Sequence, residues 1–165
     1  MHRSSAPLEA PIGRLWVTMS QAGLLEIARA DAPPPGATLD LDVAAGVIGE
    51  LEAYFAGRLR AFTVPLDPVG ATAFDVDVWT AARAIPYGET VSYGELAIMA
   101  GHPGAARAVG GSMARCPFSP VVPCHRVIHA DGSLGGWGSE TWVKRWLLAL
   151  ERGAGLRPSV RIHTS

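Results

Sequence analysis

The sequence predicts two small domains: an α/β N-terminal domain, with a small antiparallel sheet and a helix, and a mainly helical C-terminal domain with a helix-turn-helix. Three observations predict this division. Apolar residues partly alternate in the first part of the chain and recur at helical spacing in the second. A segment rich in proline and glycine, residues 62–71, separates the two parts. We place the boundary there, with the domains at 1–70 and 71–165.

The predicted N-terminal elements are a hairpin and one helix. Residues 14–20 and 24–30 partly alternate between apolar and polar side chains around a short turn, as in a β-hairpin. Three prolines at 33–35 remove three backbone donors, so this segment is a loop. Apolar residues at helical spacing predict a helix over 43–56, which Gly57 ends.

Hydroxyl residues mark the helix starts of the C-terminal domain. Thr72, with Asp75 three residues further on, predicts one helix start, and Ser92 with Glu95 fits a capping box for the next helix. A turn with glycine and proline then leads into a small-sided helix over 105–114. Two short helices joined in this way are a helix-turn-helix candidate.

The last predicted helix covers about 140–152 and carries one apolar stripe. We expect this stripe to lie in the core and the charged pair Lys144 and Arg145 to form a solvated face. The stripe consists of Trp142, Val143, Trp146, Leu147 and Leu150.

Composition and charge narrow the function classes. Hydrophobic residues make up 48% and charged residues 18%, which excludes general disorder. No apolar run approaches the roughly 18 residues of a membrane helix, and no secretory signal opens the chain, so we expect a cytoplasmic protein. The net charge of −1 divides into −6 over 1–100 and +5 over 101–165. This asymmetry fits either a basic working face on the C-terminal half or chance surface charge.

The chemically informative segment is Val-Pro-Cys-His-Arg-Val at 122–127. A thiol reacts as its thiolate, which a nearby imidazole and cationic surroundings favour. Because neighbouring side chains on a regular strand point to opposite faces, Cys124 and His125 can cooperate only through irregular backbone, which Pro123 favours, or through a water. Glu151 is a candidate to orient His125. The alternative is a buried, inert cysteine beside an exposed histidine, which is the more frequent case for an arbitrary pair.

The histidines and cysteines lack the ligand-pair spacing of a zinc site, so we expect no metal. The two cysteines, Cys116 and Cys124, do not form a disulfide framework. A cross-link between them that blocks the site is a further hypothesis, and a packed, inert Cys116 is the interpretation we prefer.

Several segments together resemble the O6-alkylguanine-DNA alkyltransferase family, in the family's order and spacing over about 72–153. The first 70 residues resemble its N-terminal domain only loosely. The resemblance implies a DNA repair protein that flips an O6-alkylated guanine out of the duplex and transfers the alkyl group irreversibly to a cysteine, as a single-turnover methyltransferase without a cofactor. The matching segments are Pro-Tyr-Gly-Glu-Thr-Val-Ser-Tyr at 86–93, Ala-Ala-Arg-Ala-Val-Gly-Gly at 105–111, Pro-Cys-His-Arg-Val at 123–127 and Val-Lys-Arg-Trp-Leu-Leu-Ala-Leu-Glu at 143–151.

The resemblance also implies roles for single residues. Cys124 is the alkyl acceptor, His125 is its base through a water, and Glu151 holds His125. Tyr93 stabilises or protonates the leaving base. The backbone carbonyls of Cys124 and Val127 read the exocyclic amine of guanine.

The helix at 105–114 is implied to be the recognition helix, which lies in the minor groove and binds without base readout because its side chains are small. Arg107 is implied to fill the gap left by the flipped nucleotide. The expected partner is double-stranded DNA carrying O6-alkylguanine, with no membrane, and the protein is expected to be monomeric, with clustering on DNA left open. The expected DNA contacts are Ala106, Arg107, Gly110, Ser112, Met113 and Arg126.

The resemblance implies a base pocket formed by Cys116, Val127, Trp137 and Gly138. All of these except Val127 depart from the family pattern. Cys116 replaces an Asn that hinges the recognition helix to the active-site loop. A thiol is a weak hydrogen-bonding group. We therefore expect that losing the hydrogen bonds of the Asn costs about 1–3 kcal/mol of stabilisation, which leaves a looser loop and a less activated Cys124. Trp137 replaces a common Tyr and Gly138 a common Ser, while Ser-Glu at 139–140 replaces a glycine pair, so we expect a narrower pocket that repels phosphate.

Two other functions remain open. The altered loop fits a lesion-binding protein that flips alkylguanine with weak or no transfer, although the retained Cys124, His125 and Glu151 argue against it. A thiol hydrolase or transferase for a small molecule is the other alternative. The charge asymmetry and the helix-turn-helix weigh against that one.

Overall fold

The computed structural model describes residues 2–134 and 140–153. The chain divides into two compact units after Val69. Within the described ranges, no helix combines the length and the apolar composition that a membrane crossing requires.

The N-terminal unit is a four-stranded sheet with one helix. Strands β1 (Ser4–Ala10), β2 (Gly13–Met19) and β3 (Leu24–Arg29) are antiparallel neighbours, and the short β4 (Thr38–Leu39) pairs parallel to β1, in the order β3-β2-β1-β4. The helix α1 (Ala45–Phe55) buries one apolar face. The predicted hairpin and helix correspond to β2, β3 and α1 and are confirmed.

Strand β1 was not predicted from the sequence, since Pro7 interrupts it and proline cannot donate to a sheet ladder. The structure accommodates the proline because β4 pairs only with Ser4 and Ser5. Pro7 therefore lies beyond the part of β1 that β4 covers.

The C-terminal unit is mainly helical. Its helices are α2 (Ala73–Arg83), α3 (Tyr93–Met99), α4 (Ala106–Arg115) and α5 (Thr141–Glu151). Two short strands, β5 (Val91–Ser92) and β6 (Val127–Ile128), pair in parallel. Helices α3 and α4 are joined by a short turn and pack together, so the fold class, including the helix-turn-helix, is confirmed.

Both predicted capping boxes are present. The Thr72 hydroxyl accepts from the Asp75 amide at 3.0 Å, and the Ser92 hydroxyl accepts from the Glu95 amide at 3.0 Å. In each box the carboxylate accepts from the amide of the capping residue in return. Gly101, with φ of 83°, supplies the left-handed residue after α3.

A buried carboxylate fixes α4 against α2. Asp75 accepts a hydrogen bond from the Ser112 hydroxyl at 2.7 Å and one from Arg115 at 2.8 Å. The indole of Trp79 adds a bond to the carbonyl of Ser112 at 3.1 Å. The recognition-helix candidate is therefore held by polar contacts on its inner face.

Candidate active site

The segment Cys124–Arg126 forms one turn of 3-10 helix directly before β6. Pro123 precedes the turn, so the backbone has the irregular conformation that cooperation of Cys124 and His125 requires. All three side chains of the turn are buried. The alternative of an inert pair requires a buried cysteine beside an exposed histidine. Cys124 is buried, but His125 is buried as well, so the pair does not fit that alternative.

Helix α5 supplies the partner of the histidine. The carboxylate of Glu151 lies 2.5 Å from Nε2 of His125 and accepts two further bonds from Arg126, at 2.8 and 3.0 Å. It also accepts from the Gly88 amide at 3.1 Å. A buried carboxylate with this many donors is well satisfied, so the imidazole has a fixed orientation.

The protonation state of His125 follows from this environment. Burial lowers the pKa of His125, against the raising effect of Glu151. The imidazole is therefore neutral at neutral pH. When Nε2 carries the proton and donates to Glu151, Nδ1 has the lone pair that can accept a proton.

The surroundings of Cys124 favour the protonated thiol over the thiolate. A hydrogen bond with the Cys116 thiol raises the pKa of Cys124 well above its usual value, burial adds to this, and the charge of Lys144 opposes it. The half-buried Cys116 therefore lies next to the reactive position, within the base pocket to which the family resemblance assigns it. Both residues are free thiols here, and a cross-link between them stays a prediction.

A cavity of about 390 Å³ lies between α4 and the end of β6. Tyr93 stands in its wall, with its ring centroid 5.1 Å from that of His129. Burial and the neighbouring Cys124 raise the pKa of Tyr93, so its phenol keeps its proton. The cavity brings together Tyr93, Ala106, Arg107, Gly110, Met113, Ala114 and His129.

Sequence reasoning missed His129. The available signal was its position two residues after Val127, at the end of the reactive segment.

Two of the expected DNA contacts are wrong. Arg126 is only 6% exposed, because it is paired with Glu151 and donates to the carbonyl of Ile85 at 2.7 Å. Ser112 is fully buried and donates to Asp75. Neither side chain can reach a ligand on the surface, whereas Arg107 is exposed.

The expectation of a solvated Lys144 is also wrong. Its side chain is fully buried, and its ammonium donates to the carbonyl of Val127 at 2.7 Å and to the carbonyl of Leu134. The signal in the sequence was its spacing of seven residues from Glu151, which places both side chains on one face of a helix.

The carbonyls that the family resemblance assigns to base recognition are both within this site. The carbonyl of Cys124 accepts from the Val127 amide, and that of Val127 accepts from Lys144. Each carbonyl oxygen has a second lone pair for a ligand. Trp137 and Gly138, the other expected pocket residues, lie outside the described residues. In the described ranges, no group of three or more His, Cys, Asp and Glu residues is arranged to hold a metal ion.

Two family models match the chain. The 6-O-methylguanine DNA methyltransferase ribonuclease-like domain matches residues 6–68, and the DNA binding domain of the same family matches residues 73–153.

Curated relatives carry two kinds of name. A methylated-DNA--protein-cysteine methyltransferase of Methanosarcina acetivorans is 53% identical over 102 residues, which are 62% of this chain and 65% of the relative. The match thus spans a little under two thirds of that relative. A Thermus thermophilus protein named DNA base-flipping protein is 40% identical over 145 residues, which are 87% of this chain and 97% of the relative.

Solved structures match most of the chain. The Mycobacterium tuberculosis O6-methylguanine methyltransferase has a TM-score of 0.82 at 42% identity, covering 92% of this chain and 93% of that one. A structure of the M. tuberculosis protein in complex with DNA also has a TM-score of 0.82 at 42% identity, covering 93% and 94%.

Proposed function

The chain belongs to the O6-alkylguanine-DNA alkyltransferase family, and from this premise we propose that it repairs DNA by moving the alkyl group of O6-alkylguanine to Cys124. The observation that carries the proposal is the buried turn in which Cys124 is followed by a neutral His125 held at 2.5 Å by Glu151. This arrangement provides a nucleophile, a base and an orienting carboxylate. It supports thiol chemistry and argues against a merely structural cysteine.

The transfer is a displacement at a saturated carbon. The proton of Cys124 passes through a water to Nδ1 of His125. The sulfur then forms a bond to the alkyl carbon while the bond from that carbon to O6 breaks. The electron pair of the broken bond goes to the guanine. The phenol of Tyr93 stabilises or protonates the leaving base. Since the product is a thioether, each molecule acts once.

We place the DNA on the surface formed by α4. The cavity next to Tyr93 is lined by the small residues of this helix, which allow a close approach of backbone to DNA, and by the exposed Arg107. The positive balance of the C-terminal half supports binding to phosphates. Arg107 enters the space that the flipped nucleotide leaves. The protein acts as a monomer in the cytoplasm, at the nucleoid, and clustering along DNA is compatible with this arrangement.

A mass measurement on the cysteine peptide tests the transfer. The full chain is incubated with a duplex that contains one O6-methylguanine, and with the same duplex containing guanine. We expect the mass of one methyl group on Cys124, located by fragmentation, only with the lesion duplex. Cys116→Ser should keep this product and Cys124→Ser should lose it. An unmodified Cys124 after long incubation with excess lesion duplex would refute the proposal.

A second candidate function is lesion binding without transfer. It is favoured by the hydrogen bond between Cys124 and Cys116, which raises the pKa of Cys124 and so lowers its reactivity. A relative named for base flipping is consistent with it. The same experiment separates the two functions, because tight binding of the lesion duplex with no methyl on Cys124, unchanged in Cys124→Ser, supports this second function.

A further inference from the structure

Lys144 is a buried cation that the proposed mechanism leaves without a role. Its side chain is 0% exposed, although the next residue of α5, Arg145, is half-buried. An ammonium group in a protein interior costs free energy unless hydrogen bonds or opposite charges offset the loss of water. Its contacts therefore indicate what this position is for.

These contacts join three parts of the site. The ammonium donates to the carbonyl of Val127 at 2.7 Å, in the residue directly after the Cys124–Arg126 turn. It donates also to the carbonyl of Leu134. Its nitrogen lies 5.9 Å from the ring centroid of Tyr93, in the wall of the cavity.

The charged and titratable groups around Lys144 belong to the reactive turn, to α3 and to α5. Cys124 and His125 in the turn interact electrostatically with it, Tyr93 at the start of α3 lies beside it, and Glu151 lies two turns further along α5. Burial lowers the pKa of Lys144 to about 8, while Cys124 opposes this shift. The ammonium is therefore mostly protonated at neutral pH, and it lowers the pKa of Cys124 in turn.

We propose that Lys144 is a positioning residue of the active site: it holds the Val127 carbonyl for the exocyclic amine of guanine and places a positive charge that favours the Cys124 thiolate. The first role follows from the hydrogen bond to Val127, whose oxygen keeps one lone pair for the base. The second follows from the anchoring of the ammonium to Val127, directly after the turn that carries Cys124, and from the burial of both side chains, since a charge acts more strongly on a thiol in a low-dielectric interior. The inference rests on the proposed function only for the identity of the base.

The effect of the Lys144 charge on the reactivity of the Cys124 thiol can be tested without DNA. Alkylation of Cys124 by iodoacetamide is followed against pH by mass spectrometry in the wild type, Lys144→Met, Lys144→Arg and the control Arg145→Met. We expect Lys144→Met to react about tenfold more slowly at pH 7, because a pKa higher by ~1 lowers the thiolate fraction about tenfold. Lys144→Arg, which keeps the charge, should restore most of the rate, and Arg145→Met should match the wild type. A Lys144→Met profile equal to that of Arg145→Met would overturn this role.

The role of the Val127 carbonyl is tested with a base that lacks the exocyclic amine. Rates of methyl transfer are compared for duplexes with O6-methylguanine and with O6-methylhypoxanthine, which lacks the 2-amino group. We expect the wild type to prefer guanine and Lys144→Met to lose most of that preference. Lys144→Gln, which keeps a donor without the charge, should retain the preference but react as slowly as Lys144→Met with iodoacetamide. It replaces Lys144→Met in the iodoacetamide test should that variant not fold. An unchanged preference in Lys144→Met, or its loss in Lys144→Gln, would overturn the role of the carbonyl.

The two tests separate this inference from the function on which it partly depends. If the wild type transfers no methyl group, the proposed function fails, while the iodoacetamide profile still decides whether Lys144 acts on Cys124.

Discussion

At the scale of single residues, the reactivity of Cys124 is set by neighbours that act in opposite directions. The Cys116 thiol and burial raise its pKa, whereas the charge of Lys144 lowers it. His125 remains neutral and oriented by Glu151 at 2.5 Å. We therefore expect the thiol to react when its proton is removed during the encounter with the substrate, rather than as a preformed thiolate.

Substitution of Cys116 should therefore speed up alkyl transfer. In Cys116→Ala the hydrogen bond that raises the pKa of Cys124 is lost, and we expect a rate at pH 7 several-fold to about tenfold higher. Cys116→Asn should be at least as fast, because an amide can also bond to backbone and stabilise the loop. The measurement is the rate of methyl transfer from a lesion duplex under single-turnover conditions. A Cys116→Ala protein as slow as the wild type would contradict this account of the thiol pair.

At the scale of elements, the position of α4 depends on one carboxylate of α2. Burial alone would raise the pKa of Asp75, but hydrogen bonds from Ser112, Thr72 and Arg115 outweigh it, and the net effect is a lowered pKa. Asp75 thus both caps its own helix and fixes its neighbour. The surface proposed to meet DNA is positioned from behind by polar contacts.

Removal of this carboxylate should destabilise the protein. We expect Asp75→Ala to lower the free energy of unfolding by about 1–3 kcal/mol, since it leaves the buried Ser112 hydroxyl without its acceptor. The measurement is urea unfolding followed by circular dichroism. The control is Asp77→Ala on the same helix, where the carboxylate is about half exposed beside His102 and the expected loss is below about 1 kcal/mol. Equal losses in the two variants would contradict the inferred role of Asp75.

At the scale of the whole molecule, two buried groups link the folded state to pH. The pKa of His125 is lowered on folding and that of Asp75 is also lowered. In both cases the unfolded chain binds a proton at a higher pH than the folded chain does. Stability must therefore fall as the pH falls through the window between the two pKa values of each group.

Acidification should consequently destabilise the protein in two steps. The first begins below about pH 6.5, where an unfolded histidine binds a proton, and should be reduced in His125→Gln. The second begins below about pH 3.9, where an unfolded aspartate does so, and should be reduced in Asp75→Asn. Urea unfolding at a series of pH values measures both steps. A free energy of unfolding that stays constant or rises from pH 7 to pH 5 would contradict the assignment for His125.

Local signals in the sequence predicted several helix starts and the reactive residues of this protein. The capping residues Thr72 and Ser92 marked their helices, because a cap is a contact between residues three apart. The reactive pair Cys124 and His125 and its partner Glu151 were also found from residue types and from the family pattern. Only the tertiary structure decided which charged and polar groups are buried. Arg126 and Lys144 lie inside because acceptors distant in the sequence offset the cost of removing them from water, and no local pattern encodes those acceptors.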